Sequence, residues 1–272
     1  MPTDMSDFFE RAEALYNKSL NEGSSKEIQF LLEQAEAQRA AYAAIVGLCD
    51  YLNRWNAAGK MNLTQAASQI KTALKINPNL ALAYYAQGFI HRTEGKHTEA
   101  LASFTKSLEI DDTYARAHAQ RGAELLYTGH PEEALRAVRK AIELTPPGHY
   151  TLGMFYWIMG RTHFFMEDYK ETIPCLRRSI EMWPTLWYNR LYLVSAYALS
   201  GDIDNAHSEL ETFDSKFPGY SIARVVKNEK TNPNKNEFVV EGRRKFHSGL
   251  RKAGMPRSAL PGYPVSGPPA TP

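Results

Sequence analysis

A spacing of about 34 residues runs through the middle of this chain. Gly88, Gly122, Gly160 and Val194 follow one another in steps of 34, 38 and 34. Ala100, Ala134, Thr172 and Ala206 keep the same steps, and Pro78, Asp112, Pro146, Pro184 and Pro218 are spaced 34, 34, 38 and 34. Self-similarity at a fixed interval of roughly 20–50 residues means one small unit repeated, none of which can bury its apolar face alone. The core of such a chain is made by stacking neighbours, so no single large core is needed. Within each unit the apolar residues recur at helical intervals on both sides of a short break, which makes the unit a helix–turn–helix. The spacing therefore predicts an all-α chain of stacked helical hairpins.

Composition agrees with a folded array and narrows the partners. Of 272 residues 43% are hydrophobic and 23% charged, and the net charge is +2 with pI near 8.4. That balance is too even for nucleic acid to be the main partner. Cys49 and Cys175 stand far apart with no CxxC companion, so neither zinc nor a disulfide framework is indicated and both read as buried thiols. The first residues hold no apolar run of signal-peptide length, and nowhere do about 18 apolar residues run together. A cytoplasmic protein without a membrane span is expected.

In chain order, residues 1–38 read as a degenerate first hairpin. Repeats follow at 39–80, 81–114, 115–148, 149–186 and 187–220, then a linker at 221–236, a capping helix at 237–254 and a disordered Pro-rich tail at 255–272. The surplus of the 39–80 unit places a longer loop around Asn53 to Met61, before a second helix from Asn62 to Ile76. Gly88 and Gly122 carry no side chain where each first helix crosses its partner, and Ala100 and Ala134 are the small residues expected opposite them. The 149–186 unit is irregular: Glu167 stands where glycine is expected, and Pro174 lies inside its second helix. Proline is tolerated in a first turn, which predicts that this helix starts near Thr172 or bends there. Phe238, Gly242, Phe246 and Leu250 fall at four-residue intervals on one face of the capping helix, with Arg and Lys around the rest.

The motifs Ala81–Gly88 (A-x-A-Y-x-x-x-G), the Glu-Ala-Leu at 99–101 and 133–135, and Lys140–Pro146 make residues 39–220 resemble the tetratricopeptide repeat family. That resemblance implies that the hairpins wind into a right-handed superhelix. More narrowly, Arg161-Thr-His-Phe-Phe before Asp168-Tyr, with Phe246 to Pro256, resembles the C-terminal repeat module of bacterial class III adenylate/guanylate cyclases and winged-helix regulators. No cyclase domain is present in this sequence. The resemblance implies a sensory or interaction role, not catalysis.

No phosphate-cradling glycine loop, HExxH helix or nucleophile elbow is found, so neither an enzyme nor a cofactor is expected. His91 and His163 fall in equivalent inward slots and read as polar-tipped core residues rather than a metal or acid–base pair. The family's register puts the concave-groove positions at Tyr51, Tyr85, Phe89, Arg92, Arg116, Tyr127, Trp157, Arg161, Phe164, Phe165 and Tyr188, beside Asp50, Leu82, Leu126, Met154, Leu191 and Ser195. Aromatics and arginine dominate binding hot spots because they bury much area at modest entropy cost. They imply a protein or peptide ligand, apolar with an acidic group, bound without catalysis, and the resemblance implies a setting in bacterial signalling or regulation. A small-molecule sensor with a closed aromatic pocket near Trp157, Phe164 and Tyr188 is the alternative; a homodimer packing one groove or edge against another stays open, as does filling of the groove by the chain's own capping helix or tail. The Lys and Asn pattern by which chaperone-binding members clamp a terminal carboxylate is missing: the fifth and ninth positions are Tyr85 and Phe89, Ala119 and Ala123, Trp157 and Arg161.

Overall fold

The structure is a computed structural model that describes residues 33–37, 39–41, 59–184, 186–229 and 234–258. The degenerate first hairpin lies almost wholly outside them, as do Asp50, Tyr51 and most of the long loop of the second unit. The described residues are helical, with no strand among them. The chain divides into two compact units, 1–117 and 118–272.

In the first unit α1 spans Gly59–Ile76, three residues longer at its start than the sequence suggests. Next come α2 (Ala81–Thr93) and α3 (His97–Ile110), joined through Gly95, whose φ of 75° is the left-handed turn that glycine adopts without a Cβ penalty. A Cβ on Gly88 would lie 2.6 Å from the Phe104 ring, so it is this ring that fills the crossing. Ala100 is buried in the same cluster, with Tyr85, Phe104 and Ala117. Ala66 and Ile70 of α1 close a second cluster with Ala86 and Ile90 of α2.

The second unit holds most of α4 (Ala115–Tyr127) and then α5 (Pro131–Glu143), which opens on Pro131 with Glu132 and Glu133 in its first turn. Proline loses nothing there, and the two carboxylates face the positive end of the helix dipole. At the α4–α5 crossing a Cβ on Gly122 would stand 2.7 Å from Val138 Cγ2 and 3.0 Å from the Ala134 carbonyl oxygen. The following hairpins are α6 (Leu152–Phe165) with α7 (Tyr169–Met182), and α8 (Trp187–Ser200) with α9 (Ile203–Lys216).

Two stretches differ from the sequence reading, the start of α7 and the 221–236 linker with the tail residues tied to it. Helix α7 starts at Tyr169, not near Thr172, because the Asp168 side chain accepts from the Glu171 N–H and caps it, leaving Pro174 inside the helix. Glu167 takes the glycine position with φ 63°, the one non-glycine residue at positive φ among those described. The 221–236 linker contains α10 (Ile222–Glu229), and its start is tied to residues expected in the disordered tail. The Ile222 and Ala223 N–H groups, orphans at a helix start, donate to the Pro256 and Arg257 carbonyls at 3.0 Å each, and Met255 is buried. The rest of that tail, from residue 259, lies outside the described residues.

Cys175 is buried on α7, and burial pushes its thiol up to about 11. The raised value keeps it protonated at pH 8, and the thiolate is the reactive form. In a Cys49→Ser background, a disulfide reagent such as dithionitrobenzoate is expected to leave Cys175 largely untouched at pH 8 and to label it stoichiometrically in denaturant. Rapid labelling of the folded protein at pH 8 would contradict this environment.

Candidate functional site

The first helix of each hairpin in the second unit is α4, α6 and α8, and one further helix packs across the last two. Helix α11 (Glu237–Lys252) starts at Asn236, whose side chain accepts from the Phe238 and Val239 N–H groups. Asn234 Nδ2 donates to the Tyr127 carbonyl at 2.8 Å and Asn236 Nδ2 to the Thr128 carbonyl at 3.1 Å. These carbonyls end α4, where no intrahelical partner remains. The two amides therefore moor the start of α11 on the end of α4.

Beyond the mooring, α11 runs against α6 and α8. Val239, Gly242, Phe246, Gly249 and Leu250 form its buried face. Gly242 lets the backbone rest on the Phe165 ring, for a Cβ there would come within 2.5 Å of it. Gly249 lies on Ser195, where a Cβ would be 2.0 Å from Oγ and 2.7 Å from the carbonyl oxygen. Ser195 Oγ donates to the Phe246 carbonyl at 3.0 Å. Between the glycines, Phe246 stacks on Tyr192 with centroids 4.0 Å apart and planes 10° from parallel. Phe238 meets Phe165 edge-on at 6.1 Å. Stacked and edge-to-face rings gain more than their buried area alone.

Polar contacts hold the rim. Glu229 at the end of α10 accepts from Tyr188 Oη at 3.1 Å and lies 2.8 Å from His247 Nε2 on α11. Burial, with the Glu229 carboxylate adding to it, raises the Tyr188 phenol well above its ordinary range. The Glu167 carboxylate, at the left-handed position, pairs with Lys245 of α11.

The expected groove residues fall into different settings. Tyr51 lies outside the described residues. In the first unit Tyr85 is 5% exposed, inside the cluster with Phe104, and so is core. Phe89 is half-buried, and the Arg92 guanidinium lies over the Phe89 and Phe104 rings at 5.1 and 5.3 Å. Arg116 is half-buried in the first turn of α4. In the second unit Phe164 and Phe165 are buried, packed with Tyr192. Tyr188 is half-buried and tilted on Phe246 at 5.8 Å. Tyr127, Trp157 and Arg161 come together: Arg161 Nη1 donates to Tyr127 Oη at 2.8 Å and its guanidinium lies over the Tyr127 and Trp157 rings. Trp157 meets Tyr188 and Tyr192 edge-on. The aromatic region where a closed pocket was the alternative is thus packed ring on ring.

His91 Nδ1 is 3.1 Å from Ser103 Oγ, and His163 Nδ1 is 3.2 Å from the capping Asp168. Among the described residues no three His, Cys, Asp or Glu gather to hold a metal, and no helix is long and apolar enough to cross a membrane. Missing from the expected set were Tyr192, Ser195 as a hydrogen-bond donor, and the pair Gly242 and Gly249. The glycines carried a signal: two of them seven residues apart on the apolar face of a helix cost stability unless a close approach requires them.

Residues 81–114 match the tetratricopeptide repeat profile. Among curated proteins the chain is 29% identical over 153 residues to the tetratricopeptide repeat-containing protein trd-1 of Caenorhabditis elegans, covering 55% of this chain and 18% of that protein. It is 24% identical over 187 residues to DnaJ homolog subfamily C member 7 of Homo sapiens, covering 65% of this chain and 36% of that one. The chain thus spans well under half the length of either. Among solved structures it resembles PilW, a type IV pilus biogenesis factor, with TM-score 0.58 at 18% identity over 79% of this chain and 92% of that one. PilF of Pseudomonas aeruginosa gives 0.57 at 18% identity, covering 80% and 93%. Residues 81–114 are a tetratricopeptide repeat, and the chain that carries them has the all-α fold of tetratricopeptide-repeat proteins.

Proposed function

We propose that this chain is a non-catalytic scaffold whose inner helices take an amphipathic protein segment, in a bacterial regulatory setting. One observation carries the reading. The faces of α6 and α8 already hold a helix, the chain's own α11, through Phe165, Tyr192 and Ser195 against Gly242, Phe246 and Gly249. Laying an apolar helix face in a groove is a recurrent mode of peptide recognition, with anchors three, four and seven residues apart. Helix α11 has that pattern, so it stands as a template for the partner: aromatic at its centre, glycine on either side. The resemblance of residues 161–168 and 246–256 to cyclase- and regulator-associated modules supports the regulatory setting. A sensor of small molecules has less support, since rings of the chain itself occupy the region it needs.

The test uses the full chain and a fluorescent peptide of residues 234–258. In a Gly242→Leu/Gly249→Leu variant the chain's own helix cannot seat, and the peptide is expected to bind at least about tenfold more tightly than to wild type, where α11 competes from within. Phe246→Ala, a milder change, should give an intermediate result. Absence of binding by either variant, with helical circular dichroism intact, would remove the helix-acceptor reading.

A further inference from the structure

Two arginines of the second unit are equally buried, Arg161 and Arg190, each 9% exposed. Arg190 has its carboxylate, with Nη1 3.1 Å from Glu209 Oε2. Arg161 has none among the described residues. Among the described residues its one hydrogen bond uses Nη1, to the Tyr127 hydroxyl, and Nε is buried without an acceptor, as is that of Arg190. Two rings, Tyr127 and Trp157, cover the guanidinium at 4.8 and 5.2 Å. A buried cation without an ion-paired carboxylate is held at a cost, and ring faces return only part of it.

The arrangement has a direction. With Nη1 engaged by Tyr127, the Nε–Nη2 edge remains, and its two parallel N–H groups match the two oxygens of a carboxylate. Tyr192, edge-on to Trp157 at 5.2 Å, feels both charges: burial and then the Glu229 carboxylate raise its phenol, and the Arg161 charge opposes the rise. One cation in an aromatic surround suits a monoanion better than a phosphate, which is usually met by several donors or a helix start.

We propose that Arg161 is the anchor for a carboxylate carried by the partner segment, and that Tyr127 and Trp157 hold its guanidinium ready. This rests on the reading that the inner helices bind a partner, and it names the polar contact of that interface. The ligand's apolar part lies along Trp157, and its carboxylate closes on the Nε–Nη2 edge.

The test follows the Arg161 Nε–Hε resonance of the full-length protein, assigned by its loss in Arg161→Lys. Three probes are titrated: 4-phenylbutanoate, the capped tripeptide acetyl-Leu-Glu-Leu-amide, and phenyl phosphate. The amide of the first and the Gln counterpart of the second serve as neutral controls. A carboxylate probe is expected to shift the resonance at least about tenfold more strongly in affinity than its control, and Arg161→Gln, with unchanged circular dichroism, should abolish the difference. Response to the tripeptide, alone or beside phenylbutanoate, supports a carboxylate carried by a peptide, and response to phenylbutanoate alone overturns that source in favour of a small acid. Preference for phenyl phosphate, or no shift with any probe, overturns the carboxylate site. Helix acceptance is read separately by the 234–258 peptide, which touches α6 and α8 through other residues, so either reading can fail while the other stands.

Discussion

Replacing Phe246 with alanine is expected to destabilise the protein by about 3–5 kcal/mol and to lower its thermal midpoint by roughly 10 °C. The side chain is fully buried, stacked 4.0 Å from Tyr192, and in contact with the rings of Tyr188 and Phe164. Alanine leaves a cavity walled by three aromatic rings from two helices, which cannot all move inward together. Val240, six residues earlier on the exposed side of α11 and 50% exposed, is the control: Val240→Ala should change stability by less than about 0.5 kcal/mol. Thermal unfolding followed by circular dichroism decides it. Equal midpoints for the two variants would mean that α11 is not seated on α6 and α8 in solution.

Gly122→Leu should cost a few kcal/mol by overpacking. The new Cβ would be 2.7 Å from Val138 Cγ2, which a rotamer change could relieve, but also 3.0 Å from the Ala134 carbonyl oxygen, which belongs to the backbone of α5. The two helices must then separate, and the buried Ala134, Ala137 and Val138 lose contacts along with the crossing. Leucine at exposed Lys140 of the same hairpin controls for the added apolar surface. Urea unfolding that places Gly122→Leu within about 0.5 kcal/mol of wild type would show that this glycine is not at a helix crossing.

Periodicity made the hairpins legible because it reports which face of a helix is apolar, and Gly88 and Gly122 do lie at crossings. It does not report what that face covers. Helix α11 was readable as a helix with one apolar stripe, yet its place across α6 and α8 depends on contacts far apart in sequence, such as Phe238 with Phe165. For the same reason Phe164, Phe165 and Tyr188 read as groove residues that either a partner or the capping helix could cover, and it is α11 that packs on them. Ile222–Glu229 gives barely two turns, too few for a pattern to stand out, so α10 went unseen beside the Asn-Pro-Asn that follows it. Pro174 points to a start near Thr172 or a bend there, but Asp168 and its capping hydrogen bond start α7 at Tyr169. Arg161 was visible as a groove arginine; that it is buried without an ion-paired carboxylate was not, since sequence does not show which carboxylates come near.

The mooring of Asn234 and Asn236 on the carbonyls of Tyr127 and Thr128 has a kinetic meaning. Stacked repeats ordinarily fold and fray from neighbour to neighbour, each hairpin nearly independent of distant ones. Here a contact between residues 127 and 234 closes a loop of more than a hundred residues, and it can form only after α6 and α8 have made the faces on which α11 lies. The entropic cost of so long a closure grows only with the logarithm of its length, but the contact order it adds slows folding. The second unit thereby exchanges the piecemeal opening of a repeat array for a block that assembles late and comes apart as a whole.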